Sequence, residues 1–469
     1  MPSACGSGSR GSDWPLPNGD VASTRAAPEA GIGRRNVTRL APVWRYRFTI
    51  RPGESGAFTA TPVVADGVVY VQDMSSNVAA LELRTGARRW LHRFGAPSPG
   101  PNGLAVADGR VFGATDTTAF ALSTATGRVL WQRRLVSRSE SFVDTAPTVA
   151  DGQVYLGTTG YVPGTRGALY ALDADTGTIE WRVGTIKRPW RHPAEAGGGG
   201  TWAPPSVDGP RVYWGTGNPF PFGGTPRRPN GGSFPGPALF TDSLLALEAE
   251  SGALAWYDQV TPHDIRDHDF QLSPILASGR VYGAGKAGLV IAWDAATGRR
   301  AWQTEVGLHR NDRGPLPRRL VSVCPGLLGG VETGMAYAGG RLFVPVVDLC
   351  SRGSAVGYAP LVQTRPEAGS GEVVALDARS GLHLWTSRLP KPPFGCATAG
   401  DGVVFVSTFD GAFYGLDSRN GARLWTAHMR AGVNACPALA DGFLLIGAGI
   451  PRGRDSVPEL VAYAARDRE

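Results

Sequence analysis

The chain has 469 residues, a formal net charge of +7 and 42% hydrophobic residues. No apolar run is long enough to span a bilayer, and no basic block with interleaved aromatic side chains is present, which argues against nucleic acid as a partner. Lysine occurs only at Lys187, Lys286 and Lys391, so the positive charge is carried almost entirely by arginine.

The first forty residues are polar and contain many Gly, Ser and Pro residues, and we expect residues 1–40 to form a partly disordered N-terminal segment. The sequence as given shows no apolar core of a signal peptide. The tetrapeptide Ser-Ala-Cys-Gly at Ser3–Gly6 nevertheless resembles the end of a bacterial lipoprotein signal, which would leave Cys5 as a lipidated first residue. A disordered cytosolic tail is the alternative.

Two short patterns alternate along the rest of the chain. An Asp-Gly turn between apolar residues, as in Val64–Tyr70 and Val149–Tyr155, predicts a β-hairpin, because Gly takes a positive φ without steric cost. A second turn, usually Thr-Gly, leads to a Trp, as in ALDADTGTIEW at Ala171–Trp181. One repeat therefore predicts a four-stranded antiparallel sheet, the blade of a β-propeller. Seven such units end at Trp90, Trp131, Trp181, Trp256, Trp302, Trp385 and Trp425.

The two ends of the chain supply the parts of one further repeat. An eighth hairpin at Leu439–Gly447 leads to an apolar strand at Leu460–Ala465, which has no Trp after it. The segment Ala41–Ile50 carries Trp44 and has no hairpin of its own. We therefore predict an all-β, eight-bladed β-propeller over residues 41–469, with tryptophan-docking repeats and a last blade closed by the N-terminal strand.

Four further cysteines bear on the cellular compartment. Cys396 and Cys436 occupy equivalent positions in successive repeats, and Cys324 and Cys350 flank one hairpin. The sequence allows three pairings among the four, or free thiols. Two disulfides would agree with an extracytoplasmic protein. No Cys-x-x-Cys-His motif is present, so no covalently attached haem is expected.

The repeat pattern is interrupted in the third to fifth predicted blades. The interruptions are GGGGTW at Gly197–Trp202, GTGNPFPF at Gly215–Phe222, TPHDIRDHDFQLSP at Thr261–Pro274 and a lysine-containing turn that begins at Gly285. Loops of a propeller meet at the mouth of its central channel, so these segments form the candidate functional region.

Together, the repeats and these motifs resemble the pyrroloquinoline quinone (PQQ) dehydrogenases, the quinoprotein alcohol dehydrogenase family. The opening Ser12–Tyr46 is similar to that of polyvinyl-alcohol-dehydrogenase-like members, and the resemblance covers nearly the whole chain. It implies oxidation of a small alcohol or polyol with PQQ and a calcium or lanthanide ion as cofactors. It also implies an extracytoplasmic location and transfer of electrons to a separate acceptor.

The resemblance assigns roles to five residues. Trp202 matches the family's Trp beneath the quinone, and Lys286 matches the basic residue that contacts the quinone oxygens. Asn218 matches the amide ligand of the metal ion, and Asp267 the catalytic aspartate, which is a metal ligand and the general base for the alcohol proton. Asp269 matches the additional carboxylate of the lanthanide-using branch, which predicts a lanthanide in preference to calcium.

The chain departs from the family pattern at three points. Val162 stands where the family has a glutamate metal ligand, Arg266 where it has a Trp, and the adjacent Cys-Cys pair expected in the second blade is absent. The alternative is a non-catalytic propeller that acts as an extracytoplasmic binding or scaffold protein.

In that alternative the candidate residues have structural roles. Asp264, Asp267 and Asp269 would be an acidic loop that caps hairpins or pairs with Arg266, and Trp202 would be a packing residue.

Overall fold

The computed structural model describes residues 12–49, 56–98, 100–139, 141–160, 164–187, 197–231, 236–360 and 366–466. Strands dominate these ranges, and helical structure is limited to 3₁₀ turns such as Val37–Arg39 and Pro366–Ala368. This confirms the predicted all-β class. Among the described residues, none lies in a helix with the length and apolar character needed to cross a membrane. Cys5 and Val162 fall outside the described ranges.

The described strands form eight four-stranded antiparallel sheets, which we number in chain order. The first four sheets are sheet 1 (Val63–Ala65, Val68–Gln72, Val78–Glu82, Arg88–His92), sheet 2 (Ala105–Ala107, Arg110–Ala114, Thr118–Ser123, Val129–Arg134), sheet 3 (Thr148–Ala150, Gln153–Gly157, Ala168–Asp173, Ile179–Gly184) and sheet 4 (Ser206–Asp208, Arg211–Gly215, Ser243–Glu248, Leu254–Gln259). The other four are sheet 5 (Ile275–Ala277, Arg280–Gly285, Leu289–Asp294, Arg300–Glu305), sheet 6 (Ala336–Ala338, Arg341–Asp348, Ser370–Asp377, His383–Leu389), sheet 7 (Thr398–Ala399, Val403–Ser407, Ala412–Asp417, Arg423–His428) and sheet 8 (Ala438–Ala440, Phe443–Ala448, Glu459–Ala465, Leu40–Arg47).

Two smaller sheets lie outside these eight, the first in the interrupted part of the chain and the second after it. Gly197–Gly198 pairs with Pro219–Phe220. A three-stranded sheet is formed by Val321–Val323, Ser351–Ser354 and Gly357–Tyr358.

The first hairpin of each sheet follows from its turn residues. In sheet 1, Asp66 has a φ of 49° and Gly67 a φ of 72°, and the Asp-Gly turns of sheets 2, 3 and 8 have the same signs. Positive φ at both central residues matches the right-handed twist of the flanking strands, and Asp and Gly tolerate it better than bulky residues do. The predicted Asp-Gly hairpins are therefore present.

Each repeat Trp joins its sheet to the following one. Its indole N–H donates to a backbone carbonyl of the next sheet, and in most cases the Gly of that sheet's second turn lies against the indole ring. The donor–acceptor pairs are Trp90–Thr124, Trp131–Ala174, Trp181–Ala249, Trp256–Ala295, Trp302–Ala378, Trp385–Ser418, Trp425–Leu40 and Trp44–Leu83. The last two pairs connect sheet 7 to sheet 8 and sheet 8 to sheet 1.

The two ends of the chain meet in sheet 8. The strand Leu40–Arg47 pairs antiparallel with Glu459–Ala465, with Trp44 opposite Ala462. The hydrophobic cluster around this sheet also contains Phe405 from sheet 7 and Val71 from sheet 1.

Residues 12–36 run across the sheets before the first strand begins. Their backbone pairs with sheets 1 and 2 through Val64 and Val106, and with sheets 7 and 8 through Ala399 and Gly442. The fully buried Arg25 donates to the carbonyl oxygens of Ala397 and Pro437 at 2.8 Å each. This segment therefore ties the beginning of sheet 7 to the beginning of sheet 8.

The four remaining cysteines form two disulfides, a pairing that the sequence left open. One joins Cys324 to Cys350, with their Cα atoms 4.5 Å apart. The other joins Cys396 to Cys436, just before the first strands of sheets 7 and 8.

Candidate functional site

Three chain segments meet at the ends of the second strands of sheets 4 and 5. Thr216, directly after sheet 4's strand Arg211–Gly215, pairs with Phe270 of the connection between the two sheets. On the other side of that connection, the backbone N–H of Lys286 donates to the carbonyl of Asp269 at 3.0 Å. These backbone pairs fix Asp269 between the two strand ends, so the side chains that follow each strand are brought together.

The charged groups form a compact cluster around the Lys286 ammonium. Its Nζ lies 2.6 Å from Asp269 Oδ2 and 3.0 Å from Asp267 Oδ2. The other oxygen of Asp269 accepts the backbone N–H of Asn218 at 2.7 Å. The Lys286 side chain is 10% exposed and that of Asp269 3% exposed, so these contacts are made almost entirely out of water.

Trp202 lies beside this cluster because of a close approach at Gly217. A Cβ on Gly217 would come within 2.5 Å of Asp269 Oδ1 and 3.2 Å of Trp202 Nε1. Because Gly217 has no side chain, the Asp269 carboxylate and the Trp202 indole can both pack against its backbone. The structure thus brings all five candidate residues of the sequence analysis into one region.

The loop that carries Asp267 is held by the Asp264 side chain. Its two carboxylate oxygens accept the backbone N–H groups of Arg266 at 2.7 Å and His268 at 2.8 Å. Asp267 itself has a φ of 65°, in the left-handed region that few residues adopt. Asp264 therefore caps the turn and positions Asp267. Capping by this acidic loop was one of the structural roles that the sequence allowed.

Arg266 points away from the cluster. Its guanidinium donates to the carbonyl oxygens of Asn311, at 2.9 Å, and Gly314, at 2.5 Å. Where the family has a Trp, this chain therefore uses an Arg to attach the Asp267 loop to the segment between sheets 5 and 6.

A cavity of about 120 Å³ opens beside Trp202. Asn102, Glu332 and the Cys396–Cys436 disulfide also line it. Among the described residues, Asn102 Oδ1 and Glu332 Oε1 have no hydrogen-bond partner. The Cys396–Cys436 disulfide, which joins the segments before sheets 7 and 8, faces this cavity.

Burial dominates the electrostatics of the cluster. Burial raises the pKa of the Asp267 carboxyl above its ordinary range, although the Lys286 ammonium opposes the shift. For Lys286, burial alone would lower the pKa, but the carboxylates of Asp267 and Asp269 outweigh burial and raise it well above the ordinary value. Burial raises the pKa of Glu332 to about 7. The lysine is therefore charged. The acids near it outnumber the cations, which keeps their pKa values high.

The sequence analysis missed two carboxylates of this region. Asp242 is fully buried before the third strand of sheet 4, and burial and the neighbouring aspartates raise its pKa well above the ordinary value. Glu332 lies in the connection between sheets 5 and 6, shortly before the first strand of sheet 6. The sequence signal that could have identified Asp242 is its place directly before an apolar strand. Glu332 lies in no recognisable motif.

The fit of a metal ion to this cluster can be judged from its donors. The described residues contain no group of three or more His, Cys, Asp or Glu side chains arranged to hold a metal ion. The oxygens that Asp267 and Asp269 turn toward each other are already bonded to the Lys286 ammonium. Asn218 donates its side-chain N–H to the carbonyl of Pro219 at 3.1 Å. As arranged, the ammonium takes the position between the two carboxylates, so the described residues do not fit a metal ion bound to both of them.

Comparison with known proteins identifies the family. The family model described as outer membrane protein assembly factor BamB, a PQQ-repeat model, matches residues 74–311 and 321–449. A second model, described as the β-propeller domain of glucose/ethanol/alcohol dehydrogenase, matches residues 14–105. The chain therefore belongs to the PQQ-repeat β-propeller family.

Relatives in this family are quinone-dependent alcohol dehydrogenases by name. A quinohemoprotein alcohol dehydrogenase of Comamonas testosteroni is 32% identical over 58% of this chain and 42% of its own length. A quinoprotein ethanol dehydrogenase of Pseudomonas aeruginosa is 26% identical over 83% of this chain and 77% of its own length. The chain thus spans less than half of the first of these relatives.

The fold has a solved counterpart along almost its full length. A europium-containing methanol dehydrogenase superposes with a TM-score of 0.81, covering 96% of this chain and 98% of that one at 20% identity. At this identity the likeness shows a shared fold.

Proposed function

We propose that this protein oxidises an alcohol with PQQ, and that Trp202, Asp267 and Lys286 form its reaction site. The carrying observation is the convergence of these side chains, with Asn218 and Asp269, from different sheets into one buried cluster. The positions that match the family follow its order along the chain, although Val162 and Arg266 depart from the family pattern. The names of the relatives support an alcohol as the substrate.

Three features of the site suit a planar quinone. Trp202 is half-buried and lines the cavity, so it offers a flat aromatic surface. Lys286 supplies a fixed positive charge. The unpartnered oxygen of Asn102 and that of Glu332 are buried polar atoms that still lack a partner among the described residues. When bound, PQQ supplies an acceptor for a hydride equivalent.

We assign Asp267 as the general base that accepts the proton of the alcohol hydroxyl. A base must be partly desolvated and must have a pKa near the working pH, and burial raises the pKa of Asp267 toward that range. Asp264 fixes the turn that presents it. Lys286 stabilises its ionised form, so the carboxylate can accept the hydroxyl proton.

The name of a structural relative and the side chains of this protein indicate different cations for the site. The europium-containing methanol dehydrogenase supports calcium or a lanthanide as the cation of the site. In this chain a lysine ammonium stands between the two aspartates that would bind such an ion. The substrate is a small alcohol or polyol, and a separate acceptor takes the electrons.

We also propose that the eight sheets are the blades of one closed, eight-bladed propeller over residues 41–469, preceded by the segment 1–40. The eight Trp donors support this arrangement, since each connects one sheet to the next and Trp44 connects sheet 8 to sheet 1. Two disulfides support an extracytoplasmic location.

The test is reconstitution of the purified protein with PQQ, followed by alcohol-dependent reduction of an artificial electron acceptor. Wild type should be active over a series of primary alcohols and polyols. Trp202→Ala should lose PQQ binding, whereas Tyr257→Ala, at an exposed aromatic residue of sheet 4, should not. If PQQ does not bind with chelator, calcium or a lanthanide present, the non-catalytic scaffold is the better account.

A further inference from the structure

The position of the Lys286 ammonium has a consequence beyond contact with a quinone. The ammonium is bonded to Asp267 at 3.0 Å and to Asp269 at 2.6 Å, so it lies at the point that a metal ion would need in order to bind both carboxylates. Ammonium and metal ion cannot both occupy this point, because each would need the same two carboxylate oxygens.

The backbone holds the lysine in this position. The N–H of Lys286 is bonded to the Asp269 carbonyl. On the other side, a Cβ at Gly330 would come within 2.2 Å of the Lys286 carbonyl oxygen, so that chain packs directly on the lysine backbone. Two neighbouring segments therefore fix the backbone of Lys286, and the two carboxylates hold its ammonium.

The surrounding charges also call for a cation here. Four buried or partly buried acids interact electrostatically with the ammonium: Asp242, Asp267, Asp269 and Glu332. Arg266, the other cation beside this loop, directs its guanidinium to the carbonyl oxygens of Asn311 and Gly314. Lys286 is thus the charge that the described part of the site places between the two carboxylates.

We infer that the Lys286 side chain is the built-in cation of this site and takes the place of a bound metal ion. A metal ion binds the Asp267–Asp269 pair only by displacing the ammonium. The inference deepens the proposed function. It rests on that function in one respect, namely that this cluster is the quinone site. It predicts that PQQ binds without an added metal ion, and that removing the lysine creates a metal site.

The test uses terbium(III) as the probe and needs no PQQ. Trp202 Nε1 lies near the point that Asp269 approaches at Gly217, so terbium held by Asp269 should show emission sensitised by this indole. Chelator-treated wild type should bind terbium weakly, and Lys286→Met should bind it at least about tenfold more tightly. Lys286→Arg, which keeps the charge, should behave like wild type. Lys391→Met removes an exposed lysine contact and is the control for net charge.

The controls separate this site from surface binding. Adding Asp269→Asn to Lys286→Met should abolish the gained terbium site. If Lys286→Met does not fold, Lys286→Gln serves in the same comparison, and folding is checked by circular dichroism. Equally tight, one-to-one binding of terbium to wild type would overturn the inference, as would no gain in either lysine variant.

A separate measurement distinguishes this inference from the proposed function. PQQ binding to wild type is compared in chelator and in excess calcium. Binding that is equal in both supports the built-in cation, and binding that requires calcium overturns it. No PQQ binding under either condition contradicts the proposed function, while the terbium result still decides the role of Lys286.

Discussion

Sheets 4 and 7 are built from the same repeat, yet they differ at the connection between their second and third strands. In sheet 7 this connection spans residues 408–411, and in sheet 4 it spans residues 216–242. Both sheets keep the Trp unit, with Trp256 and Trp425 each bonded to the next sheet. Only the sheet 4 connection carries candidate site residues, Asn218 and the buried Asp242.

The difference separates two tasks within one fold. The Trp units make contacts that recur in every sheet, and second-turn glycines pack on the indole rings in most of them, so both stabilise the molecule. The long connection within sheet 4 and the connection between sheets 4 and 5 carry crowded charges, which lower stability and form the proposed site. Substitutions in the first set should change stability without changing the reaction, and substitutions in the second set should do the reverse.

The largest expected effect is that of Asp267→Asn. Loss of the proposed base should lower kcat by about 10²–10⁴-fold. Asn tolerates the left-handed backbone of this position, so the fold and PQQ binding should persist. The measurement is steady-state oxidation of an alcohol by the PQQ-loaded variant. Asp175→Asn, at an exposed aspartate, is the matched control, and an Asp267→Asn enzyme as active as wild type would remove Asp267 from the mechanism.

Arg25→Met tests the segment that precedes the sheets. It would leave the carbonyl oxygens of Ala397 and Pro437 without a buried donor, so the free energy of unfolding should fall by roughly 3–5 kcal/mol. Chemical denaturation measures it, with Arg35→Met, at an arginine that is 93% exposed, as the control. Equal stability of the two variants would show that the segment contributes little.

A pair of glycine variants tests the Trp packing. Gly298 and Gly279 both have a φ of 70°, but a Cβ on Gly298 would lie 2.6 Å from the Trp256 ring, while one on Gly279 would meet nothing within 4 Å. Gly279→Ala should lower the free energy of unfolding by about 1 kcal/mol through its backbone alone. Gly298→Ala should lower it by a further 1–3 kcal/mol, roughly. Equal losses in denaturation midpoints would mean that the indole does not resist the added methyl group.

Asp144→Asn is expected to give the smallest change, and that change should depend on pH. Asp144 is buried, neither of its carboxylate oxygens has a hydrogen-bond partner among the described residues, and burial raises its pKa well above the ordinary value. The folded state therefore keeps a proton that the unfolded state loses above about pH 4, so wild type loses stability as pH rises from there. Thermal unfolding should show Asp144→Asn more stable than wild type at pH 7–8, by roughly 1–2 kcal/mol, with a smaller difference near pH 5. A difference that grows toward low pH would contradict this assignment.

How much the sequence predicts depends on how local each feature is. Asp66-Gly67 and the turn before Trp181 specify their strands within a few residues, so the sheets follow from the pattern. Trp202, Asp267 and Lys286 could be named because their motifs resemble a family. The ammonium between two aspartates, the carboxylate of Glu332 and the bonds of Arg25 across sheets 7 and 8 depend on segments far apart in the chain, and no local pattern encodes them.

The most direct test of the central claim is equilibrium dialysis of PQQ against chelator-treated wild type and Trp202→Ala. The account predicts one PQQ bound per wild-type chain without added metal ion, and loss of that binding in Trp202→Ala while its thermal stability stays close to that of wild type. Binding of PQQ with equal affinity to both proteins, or to neither, would contradict the claim that the Trp202–Asp267–Lys286 region is a quinone site.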